Sequence, residues 1–171
     1  EEALAIRKHA ATPAMRDLYA YNERVDRYNA ETYKMRVLSG TGAPEDTIEH
    51  LIELNHWREA LGLRKLFMEP RLQKAAQKHA VFQAAAGDVW HEGSNGTPVS
   101  RCKAEGYDGD LSENVQIGQD TPRGALEAWD RSPGHARNQC ATNWNCVGVG
   151  RSDSIWVQNF GSGPTPVDIG I

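Results

Sequence analysis

The sequence lacks the features that mark membrane-spanning and nucleic-acid-binding proteins. No apolar run approaches the roughly 18–20 residues of a membrane-spanning helix, and 23 acidic residues outnumber 19 basic ones, giving a formal net charge of −4. Because nucleic acids and anionic membranes are bound through basic surfaces, neither is an expected partner. No signal peptide is present, but the chain begins with Glu1 rather than methionine, so this absence excludes no secretory route.

Cysteine is also scarce, with three residues and no C-x-x-C pair, which argues against a zinc site built from thiolates. Cys140 and Cys146 flank a short segment containing the turn formers Asn143 and Asn145. We therefore predict a Cys140–Cys146 disulfide, with two buried thiols as the alternative. Cys102 would then be a small buried side chain. A disulfide would fit an oxidising space such as a periplasm or the cell exterior.

Length and composition favour one folded domain with an added segment. The chain has 171 residues, of which 39% are hydrophobic and 25% are charged, and it contains five tryptophans. These values are typical of a packed globular domain rather than a disordered chain. No internal repeat or low-complexity tract occurs. We expect a core that is stable without cross-links.

The first 43 residues differ from the rest of the chain. Thr12 and Pro13 predict the N-cap and first residue of a helix. Side chains then recur at spacings of three and four, as in an amphipathic helix. The stripe covers about two and a half heptads, fewer than the three to four that indicate a coiled coil. We expect the helix to dock on its own domain, and a homodimer or partner helix is the alternative. The stripe consists of Leu18, Tyr21, Val25, Tyr28, Thr32 and Met35.

Helix start and stop signals predict five further helices. After a linker at Ser39–Pro44, they span roughly 44–62, 70–87, 99–104, 121–130 and 132–138. The side chains expected to face inward on the first two of these are Ile48, Leu51, Ile52 and Trp57, then Leu72, Ala75, Ala76, His79, Phe82 and Ala86.

The remaining segments predict loops and strands. Leu63–Met68 is expected to be a connector, and residues 88–120 form an irregular, loop-rich stretch of the kind that often carries function. The runs 146–151 and 154–160 predict two strands joined by a turn. An extended tail follows from Gly161 to Ile171.

Six histidines are candidate functional residues. His9 lies in the N-terminal segment. His50 and His56 stand among charged residues and are expected to be solvated. His79 follows the apolar face of its helix, where a core histidine is a better interpretation than a metal ligand.

His91, Glu113 and His135 are the most promising chemical group. Both histidines lie at helix ends in glycine-rich surroundings, where side chains can point into a cleft. Two imidazoles and a carboxylate are suitable ligands for a divalent metal ion, above all zinc. Their spacing of 22 residues each time matches no compact metal motif, so the pattern alone is weak evidence.

Two neighbouring features have simpler interpretations. Asn95-Gly96-Thr97 fits a glycosylation sequon, although a plain turn is the better interpretation. Ser132 and His135 could suggest a nucleophilic pair, but Ser132 is better explained as a helix N-cap.

An ordered set of motifs resembles the CAP superfamily, which includes the cysteine-rich secretory, antigen 5 and pathogenesis-related 1 proteins. The match runs from about residue 48 to residue 161, and its closest piece is the bacterial form "W-x-x-S-P-G-H". The motifs are Leu54–Arg58 with Leu61–Leu63, Leu72 with Ala75–Ala80, His91, Ser112–Val115, Trp129–His135, Val147–Gly150 and Trp156–Gly161.

The resemblance implies an α/β fold, a three-layer α–β–α sandwich, with a cleft on one side. The implied division is an N-terminal helical extension at 1–43, the domain at 44–163 and a tail at 164–171. The cleft would hold a metal through His91, His135 and Glu113, with Glu113 as a ligand, an orienting group or a base, and Asn114 and Ser132 would line it. Members often have a second acid where this chain has Ser132, which weakens any mechanism that needs two carboxylates.

Three functions follow as hypotheses. The resemblance favours a binding module, secreted or facing the cell envelope, with a metal-holding cleft and a lipid, sterol or peptide ligand. The alternative is a metal-dependent peptidase or esterase with Glu113 as the base. A structural role with the N-terminal helix as a tether or dimer arm is the third.

Overall fold

The fold is a three-layer α–β–α sandwich, as the resemblance implies. A computed structural model describes residues 12–39 and 43–163; His9, the middle of the predicted linker and the tail 164–171 lie outside these ranges. None of the helices described is long and apolar enough to cross a membrane. The elements in chain order are α1 Pro13–Ser39, α2 Glu45–Ala60, β1 Phe67–Met68, α3 Pro70–Ala86, α4 Pro98–Ala104, β2 Leu111–Ile117, α5 Pro122–Asp130, α6 Pro133–Cys140, β3 Cys146–Ser152 and β4 Ile155–Gly161.

The central sheet has the strand order β1-β3-β4-β2. The short strand β1 pairs with β3 in parallel, and the other two pairings are antiparallel. The predicted strands β3 and β4 are confirmed, but the sequence analysis missed β1 in the expected connector and β2 in the expected irregular stretch. Two residues are too few for a visible alternation, and β2 carries polar side chains at its centre, so neither strand had a clear apolar pattern.

Helix α3 lies directly on strand β3 because two glycines leave no side chain between them. A Cβ atom at Gly148 would overlap the backbone of Gln73, and one at Gly150 would overlap that of Ala76. Gln73 also donates a hydrogen bond from its side-chain amide to the Val149 carbonyl, 2.8 Å away. The Val-Gly-Val-Gly run therefore fixes how closely the helix approaches the sheet.

The two faces of the sheet bury different layers. Helix α3 covers one face together with α4, and helices α2, α5 and α6 cover the other. The second face carries the larger apolar core, which includes the fully buried Trp129 and Trp156. The predicted starts of α3 and α5 are confirmed, since Glu69 and Thr121 accept hydrogen bonds from first-turn amides.

Four side chains face the opposite way from the sequence expectation, and one of them is Ala86, which was expected to face inward and is exposed. Ile52 and Phe82, expected to be inward, are 49% and 44% exposed. His50, expected to be solvated, is fully buried between Trp129 and Trp156. The buried face of α2 contains Ile48, Leu51 and Leu54 with polar residues among them. The spacing of apolar residues alone therefore did not predict which residues lie at the edges of this face.

His50 has a polar partner on each side of its ring. Its Nδ1 atom is 3.0 Å from the Pro122 carbonyl oxygen, and its Nε2 atom is 2.7 Å from the side-chain amide nitrogen of Gln158. The carbonyl can only accept, so Nδ1 carries the proton and Nε2 accepts from Gln158. Burial lowers the pKa of His50 to about 4. His56, by contrast, is exposed as expected.

The structure does not contain the predicted Cys140–Cys146 disulfide, and all three cysteines are free thiols. Cys146 is buried at the start of β3, with its Sγ atom 3.8 Å from the Tyr107 hydroxyl. Cys140 ends helix α6 and is only partly buried. The prediction rested on the short separation of the two cysteines in the sequence, which does not ensure that their thiols meet in the fold. Cys102 is buried, as predicted.

Helix α1 docks on its own domain by covering the outer edge of β1. Tyr21 and Val25 are buried against the sheet and α3 layer. The Asn29 side chain accepts a hydrogen bond from the Met68 amide at 2.6 Å and donates one to the Leu66 carbonyl at 3.1 Å. Asn22 accepts from the Lys65 amide at 2.8 Å. Most of the stripe is thus used within the chain, although Met35 at its end is 64% exposed.

We expect Asn29→Ala to lower the free energy of unfolding by about 1–3 kcal/mol, because it removes the acceptor of a buried backbone amide. Chemical denaturation would measure the change. The matched control is Lys34→Ala, an exposed position on the same helix, which should change stability by less than about 0.5 kcal/mol. Equal effects of the two substitutions would show that α1 does not support the edge of the sheet.

Lowering the pH should reduce the free energy of unfolding, because His50 is buried in its neutral form. Its pKa is lowered from 6.5 to about 4, so its contribution to stability is complete above pH 6.5 and is lost as the pH falls towards 4. Between about pH 7 and about pH 4.5, we expect the free energy of unfolding to fall by roughly 2–3 kcal/mol more in the wild type than in His50→Gln. Urea titrations at both pH values test this, and identical losses would contradict it.

Candidate functional site

The candidate site is organised by two consecutive residues of the edge strand β2. Side chains alternate between the faces of a strand, so Glu113 and Asn114 point to opposite sides of the sheet. Glu113 contacts His91, which follows helix α3, and Arg101 on helix α4. Asn114 faces helix α6 and donates a hydrogen bond to the backbone carbonyl of His135, 3.2 Å away. One strand thereby holds both histidine-bearing segments.

Glu113 is buried with both of its oxygens occupied. Arg101 Nη2 lies 2.9 Å from Oε2 and 3.2 Å from Oε1, and His91 Nδ1 lies 3.0 Å from Oε1. The pKa of Glu113 is raised, because burial outweighs the opposing charges and hydrogen bonds of Arg101 and His91. A carboxylate in this position is an ion-pair partner and an orienting group, with no oxygen left unbound.

Arg101 is a residue of the candidate site that the sequence did not predict. Its side chain is only 8% exposed. It also donates to the carbonyl oxygens of Gly96 and His91, each 2.9 Å away, and so ties the loop before α4 to Glu113. One feature of the sequence could have indicated such a residue. A buried acid requires a cation or several hydrogen-bond donors, and the side chains next to Glu113 in the sequence supply neither.

His91 is placed by a tight turn that rests on a buried histidine. His79, on α3, has its Nε2 atom 2.9 Å from the Trp90 carbonyl oxygen and its Nδ1 atom 2.8 Å from the Asn95 side-chain nitrogen. Asn95 in turn accepts a hydrogen bond from the Trp90 indole at 3.0 Å. Burial lowers the pKa of His79 to about 4, so it stays neutral. The expectation of a core histidine is confirmed.

The same contacts bear on the sequon at Asn95. Its amide nitrogen donates to His79 and its oxygen accepts from Trp90, so the side chain that a glycan would occupy is committed to the turn. Gly93 and Gly96 exchange backbone hydrogen bonds across that turn, and Gly96 has a φ of 96°. These contacts support the turn interpretation.

His135 lies in the first turn of α6, on the other side of β2. Its Nδ1 atom is 2.9 Å from the Ser132 hydroxyl. Ser132 occupies the N-cap position, as predicted, but its side chain makes no capping hydrogen bond and contacts the histidine instead. Burial lowers the pKa of His135, and the charge of the neighbouring His91 lowers it further.

A buried amide network fixes helix α6 against the sheet. Asn114 donates to the Gln158 side-chain oxygen at 3.0 Å and accepts from Asn138 on α6 at 2.9 Å. Gln158 donates onward to His50 and to Gln139. The network runs from α2 through two strands to α6, so the position of His135 depends on residues deep in the core.

The structure thus places the three predicted site residues around one edge of the sheet, in unequal roles. His91 and Glu113 are in direct contact, and His91 and His135 are close enough for one charge to affect the other. Within the described part of the chain, however, no three His, Cys, Asp or Glu side chains are arranged to hold a metal ion together. Glu113 lies directly behind His91, whereas His135 contacts Ser132 on the other side of β2.

Comparison with known sequences identifies relatives over most of the chain. A model of the cysteine-rich secretory protein family, CAP, matches residues 51–160. The uncharacterized protein YkwD of Bacillus subtilis (strain 168) is 31% identical over 128 residues, which are 70% of this chain and 50% of YkwD. The chain therefore spans about half the length of this curated relative.

Solved structures show the same fold. An extracellular protein with an SCP domain from Bacillus anthracis str. Ames has a TM-score of 0.67 at 22% identity, over 69% of this chain and 40% of that one. An outer surface protein from Borrelia burgdorferi has a TM-score of 0.64 at 24% identity, over 70% and 94%. A cysteine-rich secretory protein from Staphylococcus aureus subsp. aureus Mu50 has a TM-score of 0.60 at 14% identity, over 71% and 40%.

The Arg101–Glu113 ion pair should be essential for stability. We expect Arg101→Gln to lower the free energy of unfolding by about 3 kcal/mol, because it leaves a buried carboxylate without its cation. The control Lys103→Gln removes the same charge from an exposed position on the same helix and should cost less than about 0.5 kcal/mol. Adding Glu113→Gln to Arg101→Gln should restore part of the loss. If denaturation finds no difference between the two single variants, the pair does not stabilise the fold.

Proposed function

The chain belongs to the cysteine-rich secretory protein (CAP) family, in its bacterial form, and we propose that it is an extracellular binding module. In this proposal its cleft holds a divalent metal ion, with zinc the expected ion, through His91 and His135. The observation that carries the proposal is the contact between His91 Nδ1 and the Glu113 carboxylate at 3.0 Å.

This contact fixes which ring nitrogen of His91 is available. An ionised carboxylate only accepts hydrogen bonds, so Nδ1 carries the proton and Nε2 presents its lone pair. Metal-binding histidines commonly have such a carboxylate behind them, because it sets the tautomer and strengthens the ligand. The His91 side chain is also 52% exposed, so a solvated ion can reach it.

His135 fits as the second ligand. In the tautomer in which Nδ1 donates its proton to the Ser132 hydroxyl, the Nε2 atom of His135 is available in the same way. Burial and the neighbouring histidine lower the pKa of His135, which favours the neutral form that binds metals. The two imidazoles would supply two of the donors that zinc needs, water or a ligand would supply the others, and the ion would act in the cleft as a Lewis acid.

Glu113 supports the ion from behind His91 in this proposal. Its oxygens accept hydrogen bonds from Arg101 and His91, and its side chain is 1% exposed. The same contacts are less suited to a base that abstracts a proton from water, which the alternative of a metal-dependent peptidase or esterase needs. Turnover of a peptide or ester library that disappears in Glu113→Ala would favour that alternative.

The extracellular setting is supported by the relatives. Two of the similar structures are described as an extracellular protein and an outer surface protein. We propose that this chain is likewise secreted, periplasmic or bound at the cell envelope, and that it recognises a peptide, lipid or sterol ligand. The three free thiols do not argue for or against this location.

Zinc titration tests the metal site. We expect zinc to raise the melting temperature of the wild type, because a ligand that binds only the folded state adds about 2.7 kcal/mol at a hundred times its dissociation constant. His91→Ala and His135→Ala should each abolish the effect, whereas His56→Ala removes an exposed histidine outside the cleft and should retain it. Glu113→Gln should weaken zinc binding by roughly 10- to 100-fold.

Isothermal titration with the same four variants would check these affinities directly. A wild type that binds no zinc, or a His56→Ala variant that loses binding as fully as His91→Ala, would refute a two-histidine site in the cleft.

A further inference from the structure

The buried amide network between His50 and helix α6 can satisfy its hydrogen bonds in one direction only. It ends on three backbone carbonyls, those of Pro122, Leu126 and His135. Because a carbonyl oxygen only accepts hydrogen bonds, each side chain next to such an end must turn an N–H group towards it. The orientation of every amide in the network follows from these ends.

Two of the ends determine which way Gln158 faces. His50 donates from Nδ1 to the Pro122 carbonyl and keeps Nε2 as an acceptor. The Gln139 amide donates to the Leu126 carbonyl and keeps its oxygen as an acceptor. The side-chain nitrogen of Gln158 lies 2.7 Å from His50 Nε2 and 3.0 Å from the Gln139 oxygen, so both of its hydrogens are used.

The oxygen of Gln158 faces Asn114, which connects the network to α6. Asn114 donates to that oxygen at 3.0 Å and to the His135 carbonyl at 3.2 Å, and its own oxygen accepts from Asn138 at 2.9 Å. Gln139, His135 and Asn138 all belong to α6. Three hydrogen bonds between this helix and the sheet therefore depend on the orientation of Gln158.

A second proton on His50 is incompatible with this orientation. It would make Nε2 a donor that faces the side-chain nitrogen of Gln158, which is also a donor. Gln158 can accept that proton only by turning its amide over, and its oxygen then faces the oxygen of Gln139 while its nitrogen faces that of Asn114. Both partners would have to turn as well, and Asn114 would lose the His135 carbonyl. An unpaired buried polar group costs about 1–3 kcal/mol, so the conflict favours this rearrangement.

The carboxylates that act on His50 have arginine partners of their own. They are Asp46 and Glu53 of the same helix, which form ion pairs with Arg151 of β3 and Arg123 of α5 respectively. The elements that pack on the ring otherwise present tryptophans and amides to it. A proton added at Nε2 is therefore left to the amide network.

We propose that His50 is the sensor of a pH-sensitive switch, in which its protonation reverses the amide network and releases helix α6, with His135, from the sheet. Burial lowers the pKa of His50 to about 4, so the ring is neutral at neutral pH and the released state forms in acid. The switch makes the placement of one candidate site residue respond to acidity. It goes beyond the proposed function and requires no metal ion.

The test follows the protein by nuclear magnetic resonance between about pH 7 and about pH 4, the range in which His50 gains its proton. Near-ultraviolet circular dichroism shows whether it stays folded. We expect the backbone amide resonances of Asn138 and Gln139 to shift with the same midpoint as the His50 ring, because α6 leaves the sheet as the proton binds. Overhauser contacts between the Asn114 side-chain hydrogens and α6 should be lost over the same range.

His50→Gln removes the sensor and keeps the network. A glutamine amide can donate to the Pro122 carbonyl and accept from Gln158, but it takes up no proton. We therefore expect the α6 resonances of this variant to lack the shift. The matched control His56→Gln removes an exposed histidine of the same helix and should titrate like the wild type.

Gln158→Glu tests the relay between the sensor and the helix. A carboxylate only accepts hydrogen bonds, so it favours the doubly protonated ring of His50 and cannot donate to Gln139. We expect the midpoints of the His50 ring and of the α6 resonances to rise together by about one pH unit or more. If this variant does not fold, the comparison of His50→Gln with His56→Gln decides the question.

Three results would overturn the switch. The α6 resonances could shift equally in His50→Gln and the wild type, or the His50 ring could titrate while α6 stays in place. A wild type that unfolds before the His50 ring titrates would show that this histidine affects stability alone.

Discussion

The backbone contact between α3 and β3 determines where the candidate site can form. Gly148 and Gly150 allow the helix to lie on the strand without intervening side chains, and any larger residue would push the helix outward. Helix α3 carries His79, whose two ring nitrogens hold the turn that follows the helix. That turn positions His91. The glycines of one strand thus control a histidine far away in the sequence through rigid packing, since a densely packed interior transmits small displacements.

Strand β2 also joins the two helical layers that lie on opposite faces of the sheet. Alternation sends Glu113 towards α3 and α4 and Asn114 towards α6. Each side chain is buried, and each makes several hydrogen bonds, which offset part of the cost of burying polar groups. Consecutive polar residues at the centre of an edge strand would be unfavourable in an ordinary sheet. Here they are the reason that His91 and His135 approach the same edge.

Much of the fold followed from local signals in the sequence. Helix starts at proline after a capping residue, as at Thr121, were predictable because the chemistry of a helix end involves only neighbouring residues. The buried state of His50 was not, because its charged neighbours in sequence face solvent while its own side chain meets Gln158 from a distant strand. Strand β1 was missed for a similar reason, since its outer edge is satisfied by side chains of α1, including Asn29.

In the site, too, features that depend on residues close in sequence were predictable, and contacts between distant residues were not. Ligand chemistry and the resemblance to a family together indicated His91, Glu113 and His135, but neither showed which group would balance the charge of Glu113. A glutamate among apolar residues near the centre of a strand is rarely buried unless it is paired. That rule predicts a cation, yet the choice among 19 basic residues depends on how α4 packs across β2. The packing selects Arg101, and with it the carboxylate changes from a candidate ligand into the group that orients His91.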